Sequence, residues 1–247
     1  MNYKLGLVSI SFRKNTVEEI LETMKTAELT CIEWGSDVHA PYNETEKLEK
    51  IAKLQKEYNI ECCSYGTYFR LGVTPIEELE GYINAAKILG TDILRLWCGN
   101  KSASEYTEDE KQEFFEICKE AAKIAESQNV KLCMECHNFT LTDDKDSALE
   151  LMKAVNSPAF RMYWQPNQYK TTQENFEYAE LLKDYTEHLH VFNWDGDDRF
   201  PLIDSVDLWK QYLEILGNDK YLLLEFMPDD KIETLPIEAN ALRKIAE

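Results

Sequence analysis

Short β-rich runs and amphipathic segments alternate along the whole chain. Eight apolar runs start between 27 and 38 residues apart, and each is followed by a segment whose apolar residues have helical spacing. Strict alternation of strand and helix requires parallel strands joined by crossover helices, which leaves a doubly wound sheet or a closed barrel. Eight units in 247 residues match a barrel. The predicted strands are residues 4–10, 31–35, 60–66, 92–99, 130–138, 160–167, 187–194 and 221–227.

The turn after the first predicted strand lacks the glycines of a nucleotide-binding sheet. It reads Ser9-Ile-Ser-Phe-Arg-Lys, and neither GxGxxG nor GxxxxGK[ST] occurs in the sequence. No linker, low-complexity tract or block of like charge marks a second domain. We therefore predict one α/β domain over residues 1–247, a (β/α)₈ TIM barrel.

Composition excludes several classes of function. With 27 basic and 46 acidic residues the net charge is −19, which argues against binding to a phosphate backbone. No apolar run approaches the roughly 20 residues of a membrane span, and the first residues lack a signal-peptide cleavage site. The seven cysteines, an odd number scattered through apolar segments, do not form the framework of a small secreted domain. We expect a cytoplasmic protein that binds neither nucleic acid nor membrane.

Active sites of such barrels lie at the carboxyl ends of the strands, and here those ends carry ionisable groups. Glu135 and His137 end the fifth run and share a face in an extended chain. A glutamate is rarely buried unless it is paired or binds a metal, so either a lysine or arginine holds Glu135 or it belongs to a site. His190 and Glu225 end the seventh and eighth runs. Because they converge with Glu135 at one end of the barrel, we favour the second interpretation, in which Glu135 belongs to a functional site.

Other residues at these ends suit a small-molecule pocket. His39 follows the second predicted strand, and Arg95 lies in the fourth. Arg95 either orients a substrate carboxylate, phosphate or hydroxyl by forked hydrogen bonds or pairs with a barrel glutamate such as Glu33. Aromatic walls with a few polar groups suit stacking on a sugar ring or carbon chain. The strand-end tryptophans are Trp34, Trp97, Trp164 and Trp194.

Five motifs, IEWGSDVH (32–39), CMECHNF (133–139), MYWQPNQ (162–168), HLHVF (188–192) and LLLEF (222–226), carry a resemblance to a known family. The pattern resembles the sugar phosphate isomerase/epimerase superfamily, the xylose isomerase-like barrels, over nearly the whole chain. Ketose 3-epimerases of this superfamily hold a divalent cation through Glu, Asp, His and Glu on strands five to eight. The resemblance implies a Mn²⁺ or Mg²⁺ site formed by Glu135, His190 and Glu225, with Gln165 at the position of the aspartate.

This sequence departs from the family pattern at several positions. Gln165 contributes no charge, so we expect weaker cation binding. Gln168 stands where the epimerases have a substrate-binding histidine, and the arginine after the strand-seven histidine lies farther along, at Arg199. The residues predicted to contact substrate are Glu33, His39, Arg95, Trp97, His137, Trp164, Gln168 and Arg199.

The chemistry predicted for the site is proton transfer. Glu135 and Glu225, facing each other across a hydroxyketone, can remove a proton from one face of the carbon beside the carbonyl and return one to the other. A bound cation acts as a Lewis acid on that carbonyl. We predict an isomerase of the ketose epimerase or aldose–ketose type for a sugar, sugar phosphate or sugar acid. The alternative is a non-catalytic or metal-free sugar-binding barrel, and the resemblance implies homodimers or homotetramers.

Overall fold

Eight parallel strands close into a barrel in the computed structural model, which describes residues 3–247. The first strand pairs with the second and also with the last, so the sheet has no free edge. This confirms the predicted (β/α)₈ barrel. The strands are β1 (Lys4–Val8), β2 (Cys31–Gly35), β3 (Glu61–Leu71), β4 (Ile93–Cys98), β5 (Lys131–Glu135), β6 (Phe160–Trp164), β7 (Thr186–Val191) and β8 (Tyr221–Leu224).

A ring of helices covers the outside of the barrel. Capping boxes at Thr16, Thr107 and Thr171, each with a glutamate three residues later, fix the starts of three of them. No helix within residues 3–247 has the length and apolar character needed to cross a membrane. The helices are α1 (Val17–Thr26), α2 (Thr45–Glu57), α3 (Leu79–Leu89), α4 (Glu108–Gln128), α5 (Lys145–Val155), α6 (Thr172–Leu182), α7 (Val206–Leu216) and α8 (Leu235–Ala246).

The alternation of side chains along each strand divides the core in two. Cys31, Cys133 and Tyr163 lie in a small cluster of buried side chains separate from the main core. The residues that follow or precede them point to the layer between strands and helices, where most of the apolar residues pack. Trp34 is an example, because its Nε1 donates to Oε1 of Gln55 on α2 at 3.0 Å. Its neighbours in β2 therefore face the barrel axis.

Strand ends are where the structure differs from the sequence prediction. β5 ends at Glu135 rather than at Asn138, because the Glu135 carbonyl accepts a hydrogen bond from the Thr142 hydroxyl at 2.6 Å instead of continuing the ladder. β3 extends to Leu71, five residues beyond its predicted end, with an irregular register between Gly66 and Arg70.

A short antiparallel hairpin after β7 was not predicted. It pairs Trp194–Asp195 with Asp198–Arg199. Gly196 in its turn has φ +57°, the left-handed backbone that two-residue hairpin turns require. The hairpin raises a short wall at the carboxyl end of the barrel.

Candidate active site

Four polar side chains from the ends of β5 to β8 converge on the barrel axis. The Nδ1 atom of His190 lies 2.9 Å from Oε1 of Gln165, 3.3 Å from Oε1 of Glu135 and 3.6 Å from Oε2 of Glu225. All four residues are buried. They meet because neighbouring parallel strands end at the same rim of the barrel. The structure thus brings together the four residues proposed from the sequence as metal ligands.

Glu33 supports this cluster from the other side of His190. Its Oε1 lies 3.4 Å from Nε2 of His190, within ion-pair distance but without hydrogen-bond geometry. Ser64 donates to Oε2 of Glu33 at 2.5 Å, and its oxygen also lies 3.1 Å from the Tyr163 hydroxyl. A Cβ atom at Gly66 would lie 2.5 Å from Oε1 of Glu33, so a glycine is needed to leave room for this carboxylate.

Arg95 and Trp97 hold one oxygen of Glu135. Nη1 of Arg95 lies 3.3 Å from Oε2, and Nε1 of Trp97 donates to the same oxygen at 2.5 Å. Arg95 also reaches Glu33, with Nε 3.4 Å from Oε1. The pairing with Glu33 considered from the sequence is therefore present. Because Oε2 of Glu135 is occupied, Oε1 is left to face the centre of the cluster.

Burial and neighbouring charges set the proton affinities of the cluster. Burial alone would raise the pKa of Glu33, but His190 and Arg95 lower it to about 2. Burial opposes ionisation of Glu135 as well, yet Arg95 and His190 hold its pKa below the usual range. The pKa of Glu225 is raised, first by burial and then by Glu135. For His190, Glu225 and Glu33 outweigh burial and raise the pKa to about 10.

The donor set fits a divalent cation. Ligand atoms of Glu135, His190 and Glu225 all lie within 4.8 Å of one another. Metal–ligand bonds of about 2.0–2.2 Å put neighbouring ligand atoms roughly 3.0–3.5 Å apart, close to the spacings around Nδ1 of His190. Three buried carboxylates face one buried guanidinium, so two negative charges are in excess when His190 is neutral. One divalent cation or two protons would balance that excess.

A cavity of about 210 Å³ opens above the cluster. Four of the predicted substrate-contacting residues line it, namely Arg95, Trp97, His137 and Gln168. The rings of Trp97 and His137 lie 5.4 Å apart and form one wall of the cavity. The cavity therefore offers aromatic surface and hydrogen-bonding groups directly above the ionisable cluster.

The other four predicted contact residues do not line this cavity. Glu33 lies beneath His190. His39 is buried between Oγ of Ser9 and the carbonyl of Asn15, each 3.2 Å from a ring nitrogen. The remaining two residues, Trp164 and Arg199, pack against other side chains. Trp164 is fully buried in the outer core, whereas Arg199 stacks on the ring of Trp194 at 4.9 Å and pairs with Asp230.

Several wall residues were missed by the sequence analysis. Arg13 follows β1 and is fixed by Asp37, whose Oδ2 lies 2.6 Å from Nε, and by the Tyr68 hydroxyl, which accepts from Nη2 at 2.6 Å. Phe226, directly after Glu225, has φ +55°, an uncommon conformation for a residue with a side chain. Both residues follow the ends of barrel strands, and this position in the sequence could have indicated that they line the pocket.

Comparison with known proteins identifies the family of this chain. A family model described as "Xylose isomerase-like TIM barrel" matches residues 21–245. The chain belongs to this family. Among curated proteins, a 3-dehydroshikimate dehydratase of Bacillus anthracis is 23% identical over 216 residues, which are 83% of this chain and 77% of the relative.

Solved structures of the family share the fold. A probable 3-DHS dehydratase from Bacillus anthracis superposes with a TM-score of 0.83 at 19% identity, covering 98% of this chain and 99% of that one. The IolI protein, solved with a zinc atom, superposes with a TM-score of 0.76 at 17% identity, covering 98% of this chain and 96% of that one. D-psicose 3-epimerase of Clostridium cellulolyticum, solved with D-tagatose, superposes with a TM-score of 0.69 at 13% identity, covering 97% of each chain.

Proposed function

We propose that this protein is an enzyme that removes and returns a proton at the carbon beside the carbonyl of a small polyhydroxylated ketone. The observation that carries the proposal is the meeting of Glu135 and Glu225, both within 3.6 Å of Nδ1 of His190, beneath a cavity lined by aromatic and polar groups. Two carboxylates at one reacting carbon provide the base and the acid that such a proton transfer needs.

Each residue of the cluster has a separate task in this proposal. Glu135, anchored through Oε2 by Arg95 and Trp97, directs Oε1 toward the cavity as the base. Glu225, from the strand three places further along the chain, serves the opposite face of the reacting carbon. A divalent cation held by Glu135, Gln165, His190 and Glu225 would supply Lewis-acid polarisation of the carbonyl. The aromatic walls keep water away from the reacting carbon.

The second carboxylate supplies what an epimerase or isomerase needs after the proton is removed. When Glu225 returns a proton to the opposite face, the product is an epimer. Dehydration is a second candidate, favoured by the relative named as a 3-dehydroshikimate dehydratase. It begins with the same loss of a proton but continues with loss of a hydroxyl group, for which Glu225 would act as the acid.

Product analysis tests the proposal. The metal-loaded protein is incubated with D-fructose, D-psicose, D-tagatose and 3-dehydroshikimate, and the products are identified by NMR and mass spectrometry. We expect a sugar of unchanged mass and altered configuration. A product lighter by one water molecule would favour the dehydratase candidate. A folded protein that binds a ketose and converts none of these compounds would contradict the proposal and favour the sugar-binding barrel.

A further inference from the structure

A second cavity adjoins the catalytic one at the carboxyl end of the barrel. It has a volume of about 340 Å³ and lies between the segments that follow β6 and β7. Asn167, Gln168, Phe192 and Trp194 line both cavities and form their common wall. Asn167 and Phe192 are buried, whereas Gln168 and Trp194 are half-buried. The latter two therefore form the outer edge of the wall, over which a ligand longer than one ring would pass.

The second cavity is suited to neutral hydroxyl groups. Within residues 3–247, the side chains of Gln168 and Thr172 and the Oδ1 atom of Asn193 have no hydrogen-bond partner. Lys170 and Asp195 contribute one charge of each sign, so the lining has no positive surplus to attract a phosphate. Amide and hydroxyl groups can bind the hydroxyls of a sugar by donating and accepting at once.

The aromatic surface open to the second cavity belongs to Trp194. The rings of Trp209 and Tyr212 on α7, 5.5 Å apart and edge to face, are buried and close the floor without offering a ring face. Half-buried Trp194 stands in the common wall beside the amide groups. An aromatic ring next to amide groups suits a pyranose, which has carbon-bound hydrogens on its faces and hydroxyls at its edge. A monosaccharide in the catalytic cavity would leave this second lining without a ligand.

We propose that the second cavity binds a further sugar ring, so that the substrate class is a keto-disaccharide or comparable glycoside rather than a free or phosphorylated monosaccharide. The assignment of the keto unit to the catalytic cavity rests on the proposed function. The ring joined to it crosses the edge formed by Gln168 and Trp194 and lies between Thr172 and Asn193.

Calorimetric titration of the metal-loaded protein tests this subsite with lactulose, maltulose and turanose against D-fructose and fructose 6-phosphate. Two or three added hydrogen bonds should make at least one keto-disaccharide bind about tenfold or more tightly than fructose. Fructose 6-phosphate should bind no more tightly than fructose.

Variants on α6 supply matched controls. Thr172→Trp fills the second cavity from the first residue of the helix, whereas Gln173→Trp puts the same ring on the next residue, which does not line the cavity. We expect Thr172→Trp to reduce disaccharide affinity to that of fructose without changing fructose binding, and Gln173→Trp to change neither. Asn193→Ala removes one amide from the lining and should weaken the binding of the disaccharides but not that of fructose. It tests the same subsite if Thr172→Trp does not fold.

The outcomes separate the subsite from the proposed function. Disaccharides that bind no more tightly than fructose, or a Thr172→Trp variant that weakens both ligands equally, would overturn the subsite. Tighter binding of fructose 6-phosphate that Thr172→Trp removes would make the cavity an anion site and also overturn it. A tightly bound disaccharide with no conversion of any ketose would uphold the subsite while the proposed function fails. If the protein converts fructose but binds the disaccharides no more tightly than fructose, the proposed function stands and the subsite fails.

Discussion

Glu135 has its two oxygens in different environments, and this asymmetry is the main residue-scale feature of the site. Oε2 is held by Arg95 and Trp97, while Oε1 faces His190. Arg95 and His190 hold the pKa of Glu135 low against the effect of burial, whereas burial and the charge of Glu135 raise the pKa of Glu225. The two carboxylates thus differ in proton affinity although both are buried, which matches the base and acid roles proposed for them.

Replacing either carboxylate by its amide should stop turnover with little change in shape. Glu135→Gln and Glu225→Gln keep size and hydrogen-bonding capacity but remove the group that carries the proton. We expect each variant to lose turnover by about 10² to 10⁴, the contribution of one positioned acid or base. Metal content is measured in the same samples, because loss of a ligand would lower activity too. Full activity in either variant would remove that residue from the proposed chemistry.

Gln165 is the ligand that departs from the family pattern, and its replacement tests the cation site. Gln165→Asp adds a negative charge 2.9 Å from Nδ1 of His190, so Mn²⁺ should bind more tightly, by about tenfold or more. Gln168→Asp adds the same charge to the cavity wall outside the ligand set and serves as the control. Calorimetry that detects no Mn²⁺ binding by the wild type or by Gln165→Asp would favour a metal-free protein.

Cation binding should depend on pH because protons and the cation compete for the same groups. The pKa of His190 is raised to about 10, so its imidazole is protonated near neutral pH, and the pKa of Glu225 is raised above its ordinary value by burial. A cation must displace these protons, so its affinity should increase as the pH rises from about 6 to about 8, by about tenfold per pH unit for each proton released. Titration in buffers of different ionisation enthalpy counts the protons. Affinity independent of pH, with no proton release, would contradict this account.

At the scale of single elements, β3 gives the site its space. Gly66 is paired with Gly35 on one side and with Arg95 on the other, and it leaves room for the Glu33 carboxylate. A bulkier residue at this point in β3 would push Glu33 away from His190 and Arg95. β3 therefore contributes to the site because the absence of a side chain at Gly66 leaves space for the Glu33 carboxylate.

Gly66→Ala should be costly because its Cβ would lie 2.5 Å from Oε1 of Glu33. Overpacking of this kind costs about 1–3 kcal/mol, which lowers Tm by roughly 2–12 °C in a chain of this size. Gly81→Ala on α3 is the control, since its Cβ would meet only the ring of Tyr42, which can move. Thermal unfolding followed by circular dichroism compares the two. Equal Tm values for Gly66→Ala and the wild type would show that Glu33 can be displaced without cost.

Element boundaries also show where sequence reasoning succeeded and where it failed. Alternation of strands and helices predicted all eight units, because hydrophobic periodicity is a local property. Trp164 was predicted as a pocket wall but lies in the outer core against Tyr212. The alternation rule separates it from its neighbours, since Tyr163 contacts His190 inside the barrel and Gln165 reaches the same residue. A residue between two inward-facing neighbours faces outward.

At the scale of the whole molecule, barrel closure is what assembles the candidate site. Glu33 and Glu225 lie far apart in the sequence, yet the pairing of β1 with both β2 and β8 brings their strands to the same sector of the barrel. Strand order predicted this convergence. The positions of Arg13 and Tyr68 depend on the segment after β1, on the irregular register of β3 and on side-chain hydrogen bonds, none of which the sequence pattern specifies. The dimer or tetramer implied by the family resemblance stays a prediction.

The measurement that tests the central claim most directly is hydrogen exchange at the substrate carbon. Metal-loaded wild type is incubated with D-fructose, D-psicose, 3-dehydroshikimate and the keto-disaccharides in D₂O, and deuterium incorporation is followed by NMR. We predict deuterium at the carbon beside the carbonyl of at least one compound, and none with Glu135→Gln at equal metal content. A folded, metal-loaded wild type that binds these compounds and exchanges no hydrogen, or a Glu135→Gln variant that exchanges as fast as the wild type, would contradict the account.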